Sequence, residues 1–135
     1  MNENRYVIEK AREYMDKLEI YHNLDVYFGD KNKYEKFRVK VDYSRIDYNM
    51  DLEKFITRCK TLVEASIEYK DYSDSTILNI YKNMYEFLNA VHRVGQCWDS
   101  VSHHYTEEDI TNMFCEFDEV INRFEELKMK KAFSE

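Results

Sequence analysis

Proline is absent from this chain and glycine occurs only twice, so the two residues that most often break helices scarcely interrupt it. No stretch approaches the 18 or so consecutive apolar residues of a membrane-spanning helix. The N-terminal MNENRYVIEKAREYM holds no uninterrupted apolar run, so no signal peptide is expected. The three cysteines, Cys59, Cys97 and Cys115, form no CxxC pair, which argues against a disulfide framework or a zinc ribbon. Cys59 and Cys115 fall in apolar stripes, where a free thiol behaves as a small hydrophobe. Glycine-rich phosphate loops and the GxSxG nucleophile elbow are missing too. No motif names a reaction, and no cofactor is expected.

What is present is apolar and aromatic material: 44% of the 135 residues are hydrophobic and 16% aromatic, including twelve tyrosines. A chain of this length buries roughly 68% of its unfolded surface, enough for one core, so residues 1–135 are expected to form a single domain. Asn, Lys, Tyr and Ile are abundant while Gly and Pro are scarce. AT-rich codons produce that bias, as in a low-GC bacterium, its phages and mobile elements, or some large DNA viruses.

Periodicity organises the chain around residues 75–104. Ile77, Ile80, Tyr81, Met84, Phe87, Leu88, Val91, Val94, Trp98 and Val101 recur at steps of three and four, the signature of one long helix with a continuous apolar stripe. A first helix is expected over 4–22 (Val7, Ala11, Tyr14, Leu18, Tyr21), capped by Asn4, and a second over 50–70 behind an Asn49 cap. A fourth should span 106–131. It opens on Thr106-Glu107-Glu108-Asp109, which resembles a capping box, and closes on Lys128, Lys130 and Lys131, which complement the negative helix end. Between the first two helices, Leu24, Val26 and Phe28 alternate. Gly29-Asp30-Lys31-Asn32 is turn-rich, and Phe37, Val39, Val41 and Tyr43 alternate again. That pattern predicts a small β-hairpin over 24–43, with a short helix as the competing reading. The expected fold is mainly α: an antiparallel bundle of four helices with a small β-hairpin between helices 1 and 2.

The net charge is −7 and is uneven: residues 31–45 carry +4, which leaves −11 on the rest. A body of that sign prefers a basic partner and is repelled by phosphate backbones and anionic membranes. Tyrosines off the apolar stripes or in loops, including Tyr43, Tyr48, Tyr69, Tyr72, Tyr85 and Tyr105, lie close in sequence to carboxylates. Tyrosine docks with little loss of entropy and is enriched at interfaces. The candidate partner-binding residues are therefore Tyr43, Asp47, Tyr48, Tyr69, Asp71, Tyr72, Tyr105, Glu107 and Glu108. The same tyrosines could instead pack beneath the hairpin.

Two other chemistries compete. His92, His103 and His104 with nearby carboxylates invite a metal or acid–base reading. Yet no HxxxH, HExxH or ExxH accompanies the adjacent pair, and histidine at a helix end commonly satisfies the last carbonyls. Lys31, Lys33, Lys36, Arg38 and Lys40, interleaved with Tyr34 and Phe37, could follow a nucleic acid, against repulsion from the rest of the chain. Lysine on a hairpin also serves simply to discourage edge pairing. In size, charge and composition the chain resembles many small phage anti-defence proteins, anti-CRISPR proteins among them, and bacterial toxin-immunity proteins. The expectation is an acidic inhibitor in the cytoplasm of a bacterial or infected host cell. It would cover a basic surface of a nuclease or nucleic-acid-handling complex, with self-association also compatible.

Overall fold

A computed structural model of the chain describes residues 5–28 and 52–134. Among the described residues six helices follow in order: α1 (Arg5–Lys17), α2 (Ile20–Phe28), α3 (Leu52–Glu68), α4 (Asp74–Gln96), α5 (Trp98–Val101) and α6 (Glu107–Ser134). No strand occurs among the described residues, and the hairpin is corrected accordingly. Residues 24–28, its expected first strand, belong to α2. Leu24 is fully buried while Val26 is 61% exposed. In a strand the two would share a face, whereas helical geometry turns them about 200° apart. The rest of the expected hairpin lies outside the described residues, as do the Asn4 and Asn49 caps.

The expected first helix is divided. Glu19 adopts φ 50°, and the chain restarts as α2 at Ile20. The break follows from burial: Leu18 and Ile20 both lie in the core, and a straight helix would aim them to opposite sides. The Asn23 side-chain amide donates to the carbonyls of Glu19 (2.9 Å) and Leu18 (3.3 Å), while its backbone N–H also donates to Glu19 O (3.0 Å), bracing the break. The long helix is divided as well. Cys97 leaves helical geometry at φ −109°, ψ 30°, and α5 adds a single turn. The uninterrupted rod is thus 23 residues, about 35 Å.

Helix α4 is the central element, with 14 of its residues buried. Ser73 caps it, its Oγ accepting from the Thr76 N–H at 3.3 Å. Helix α3 ends in a Schellman turn: Lys70 at φ 55°, Asp71 N to Ser66 O at 2.9 Å and Lys70 N to Ile67 O at 3.2 Å. The capping box at α6 is reciprocal. Thr106 N donates to Asp109 Oδ2 (2.8 Å) and Asp109 N to Thr106 Oγ1 (3.1 Å).

Packing against α4 takes two forms. Helix α1 approaches closely because Gly95 has no side chain: a Cβ there would stand 2.7 Å from Ile8 Cγ1. Helix α6 is instead joined to α4 and α1 through aromatic rings. Phe87 meets Phe117 (centroids 4.9 Å) and Tyr81 meets Phe124 edge-on (4.8 Å, 87°). Tyr14 stacks on Phe114 (5.0 Å, 7°). Each such pair contributes about 0.5–1.5 kcal/mol beyond its buried area.

Helices α3 and α6 are parallel to each other. Leu52 N, at the start of α3, donates to Tyr105 Oη (3.1 Å) just before α6. Further along, Arg123 Nε reaches Glu64 Oε1 (2.9 Å). Helix α4 runs antiparallel to both, so the expected four-helix bundle holds in part: these three helices alternate in direction, while the expected first and third helices are each divided.

Candidate functional site

Helix α6 carries an uneven charge pattern. Its apolar positions, Ile110, Met113, Phe114, Phe117, Val120, Ile121, Phe124 and Leu127, are buried. The intervening positions are left to solvent at helical spacing. From Glu107 to Asn122 those positions bring six carboxylates (Glu107, Glu108, Asp109, Glu116, Asp118, Glu119) and no cation; all six residues are exposed. The acids at 107–109 lie against the positive helix end, and Asp109 belongs to the capping box. Asp118 accepts from Tyr14 Oη at 2.7 Å, and burial with this acceptor moves the Tyr14 phenol above its ordinary pKa. Glu116 and Glu119 form no ion pair among the described residues.

Cations appear only in the second half of α6, where Arg123, Lys128 and Lys131 serve the structure. Arg123 binds Glu64 through Nε (2.9 Å) and Nη2 (3.0 Å), and Nη1 binds Glu126. This hydrogen bonding holds the Glu64 carboxyl below the usual carboxylate range and raises the guanidinium. Lys128 lies over the Tyr81 and Phe124 rings, donates to Tyr81 Oη at 3.1 Å and pairs with Glu125 at 2.8 Å. Those contacts raise its pKa against the opposing effect of burial. Lys131 ties α6 to the α3–α4 turn through Asp74 (2.6 Å) and the Tyr72 carbonyl (3.2 Å).

Beside the acidic face, a groove of about 580 Å³ separates α6 from α3. Ile56, Val63 and Val120 form its floor. Thr57 and Lys60 line one wall, Glu116 and Glu119 the other, and the Arg123–Glu64 bridge lies at one end.

The nine candidate binding residues do not form one patch. Tyr43, Asp47 and Tyr48 lie outside the described residues. Tyr69, Asp71 and Tyr72 sit at the α3–α4 turn; Tyr105, Glu107 and Glu108 sit where α6 begins. The length of α4, about 35 Å, separates the two groups. Tyr69 is 77% exposed, but Tyr72 and Tyr105 pack partly against the core. Asp71 is occupied by Thr76 Oγ1 (2.6 Å) and Ser73 Oγ (2.9 Å). Tyr85, expected off the stripe, is fully buried, with Tyr21 edge-on at 5.9 Å. It begins a buried polar row with Asn89 and Arg93, one turn apart on α4. Its signal in the sequence is the four-residue recurrence of polar groups inside an apolar helix.

His103 and His104 are exposed in the turn before α6, their ring centroids 3.9 Å apart, and His92 is half-buried on α4. Among the described residues no three His, Cys, Asp or Glu side chains converge as a metal site would require. Cys115, placed by the sequence pattern in the apolar stripe, is exposed on α6 instead, since Phe114 and Phe117 fill the buried positions on either side. Lys31, Lys33, Lys36, Arg38 and Lys40 lie outside the described residues. No described helix is long and apolar enough to cross a membrane.

No family model matches this chain, and no curated protein or solved structure does.

Proposed function

We propose that this protein is an acidic binding module of the anti-defence or immunity type, in which α6 covers a basic surface of a nuclease or nucleic-acid-handling complex. The observation that carries the reading is the run of six exposed carboxylates with no cation over residues 107–122. Fixed on a rigid helix, these charges create a one-signed field that draws a cationic surface into encounter. Glu116 and Glu119, which form no ion pair among the described residues, contribute most directly. Tyr69 and Tyr105, at opposite ends of the bundle, are secondary contacts in this reading. The protein works by occupying a surface and requires no catalytic group.

The test is capture of the partner from native host extract, followed by association kinetics with the purified partner. Charge reversal at Glu108, Glu116 and Glu119 together should slow association at least tenfold at low salt, within the about 10–10³ range of electrostatic steering. An unchanged rate would refute the assignment to α6. Retention of oligonucleotide in place of protein, abolished by Lys36→Glu with Arg38→Glu, would replace this reading with nucleic-acid binding.

A further inference from the structure

Helix α6 continues past the core it packs on. Its last buried residue is Leu127, yet the helix runs on to Ser134, and none of residues 128–134 is buried. This overhang holds Met129 and Phe133, 60% and 85% exposed, four residues apart and so on one side of the helix. Lys130, between them in sequence, is exposed and forms no ion pair among the described residues. A complementary patch lies at the other end of the same helix. Tyr6 of α1, 42% exposed, bonds Thr111 through its hydroxyl at 3.3 Å, which sets its ring beside the acidic stretch. Glu107 and Glu108 lie one turn before Thr111 on the same side. Met129 follows Thr111 by 18 residues, about five full turns and roughly 27 Å, so the two point the same way. One side of α6 thus carries an acidic patch with a tyrosine at one end and an apolar, cationic patch at the other. Residues 107–122 hold six carboxylates and no cation, whereas residues 123–134 hold four cations against two carboxylates. At that separation on one helix, the two patches cannot meet within a single chain.

We infer that a second copy of this chain covers the overhang. Two α6 helices lie antiparallel, with Met129 and Phe133 of each on Tyr6 and Thr111 of the other, and Lys130 against Glu108. Because both patches occupy one side of the helix, this twofold arrangement makes the same contact twice and closes on itself, as isologous dimers do. A parallel pairing would instead set the six carboxylates of one copy against those of the other, which opposes association. Exposed ion pairs contribute little by themselves, so the apolar contacts supply the adhesion and the charges select the antiparallel direction. Methionine adds a favourable sulfur contact when it meets an aromatic ring. The inference goes beyond the binding reading above and does not depend on it. The dimer occupies the same acidic face, so a cationic partner would have to displace the second copy.

Sedimentation equilibrium on the full-length protein, read as mass against concentration, tests the dimer. The mass should rise from one chain toward two, and the dimer should loosen as salt screens the charges. Phe133→Ser, Lys130→Glu and Glu108→Lys should each weaken dimerisation at least tenfold, since every substitution acts at both contacts of a twofold pair. All three positions are exposed, and an unchanged thermal midpoint for each variant separates lost docking from lost folding. Joining Lys130→Glu with Glu108→Lys swaps the charges and should restore the dissociation constant to within threefold of the original. The two positions are roughly 33 Å apart along one helix, so no effect inside a single chain produces that rescue. A mass of one chain persisting at about 1 mM, the concentration scale of the weakest specific contacts, would overturn the inference. So would growth beyond two chains, the mark of an open head-to-tail contact, or a charge swap that fails to restore the dimer. A strictly monomeric protein whose association with the captured partner still slows on charge reversal at Glu108, Glu116 and Glu119 would sink the dimer and leave the binding reading standing.

Discussion

Gly95→Ala tests how closely α1 approaches α4, the contact that anchors the N-terminal helix. Alanine at a helical position is normally favoured over glycine by about 0.8–1 kcal/mol, so a loosely packed site would gain stability. Here the new methyl would meet Ile8 Cγ1 at 2.7 Å, Ile8 N at 3.3 Å and Val7 Cβ at 3.3 Å. Cγ1 is the branch of a buried side chain and cannot swing aside, and the other two neighbours are fixed by the backbone. Overpacking of this kind costs about 1–3 kcal/mol. The clash outweighs the propensity gain, leaving a net loss of about 1 kcal/mol, or about 3–4 °C in Tm for a chain of 135 residues. Thermal and urea unfolding followed by far-UV circular dichroism would measure it. A double-mutant cycle with Ile8→Ala isolates the cause, because that change removes Cγ1. In that background Gly95→Ala should become neutral or stabilising, with a coupling energy of at least about 1 kcal/mol. A rise in stability on Gly95→Ala alone would refute the close approach.

The cysteines should separate kinetically toward a thiol reagent. Cys115 reacts first, half-buried Cys97 more slowly, and Cys59 only on unfolding, since burial pushes its thiol up to about 12; rapid labelling of Cys59 in the native protein would contradict the core assignment. Asp71→Asn should destabilise at neutral pH by loosening the cap of α4. The Thr76 and Ser73 donors hold the Asp71 carboxyl below its ordinary value. Its contribution is therefore present above the unfolded value of about 3.9 and lost as pH falls through the lower folded value, so the two proteins should converge in urea titrations at strongly acidic pH. Tyr105→Phe removes the acceptor for Leu52 N and should cost about 0.5–1.5 kcal/mol, read as a shift in urea midpoint with unchanged slope.

The arrangement that supports binding is a division of labour along α6. Cations gather where the helix must be tied to α3, α4 and the α3–α4 turn. Between Glu107 and Asn122 the only charged side chains are carboxylates. Asp109 and Asp118 serve the fold through the capping box and the Tyr14 hydrogen bond, whereas Glu116 and Glu119 form no ion pair among the described residues and are the carboxylates on which the proposed binding most depends.

Periodicity and capping chemistry were sufficient for much of this. The stripe from Ile77 to Val94 marks the central helix, and Thr106 with Asp109 marks the start of α6, because both signals are local and act within a turn or two of the chain. Acidity between Glu107 and Glu119 is likewise plain from residue order. Other features depend on what each residue meets across the bundle. Leu18 and Ile20 must both reach the core, so the backbone turns at Glu19, where no glycine or proline warns of it. Leu24 and Val26 look like one face of a strand until burial sends them to opposite sides. Tyr85 reads as a surface phenol but is enclosed in the core beside Tyr21. The groove lies between α3 and α6, which Arg123 and Glu64, a pair 59 residues apart, tie together. Local sequence thus determined the helices and the sign of their charge, whereas long-range packing decided where they break and which tyrosines remain at the surface, because those outcomes depend on what each residue meets across the bundle.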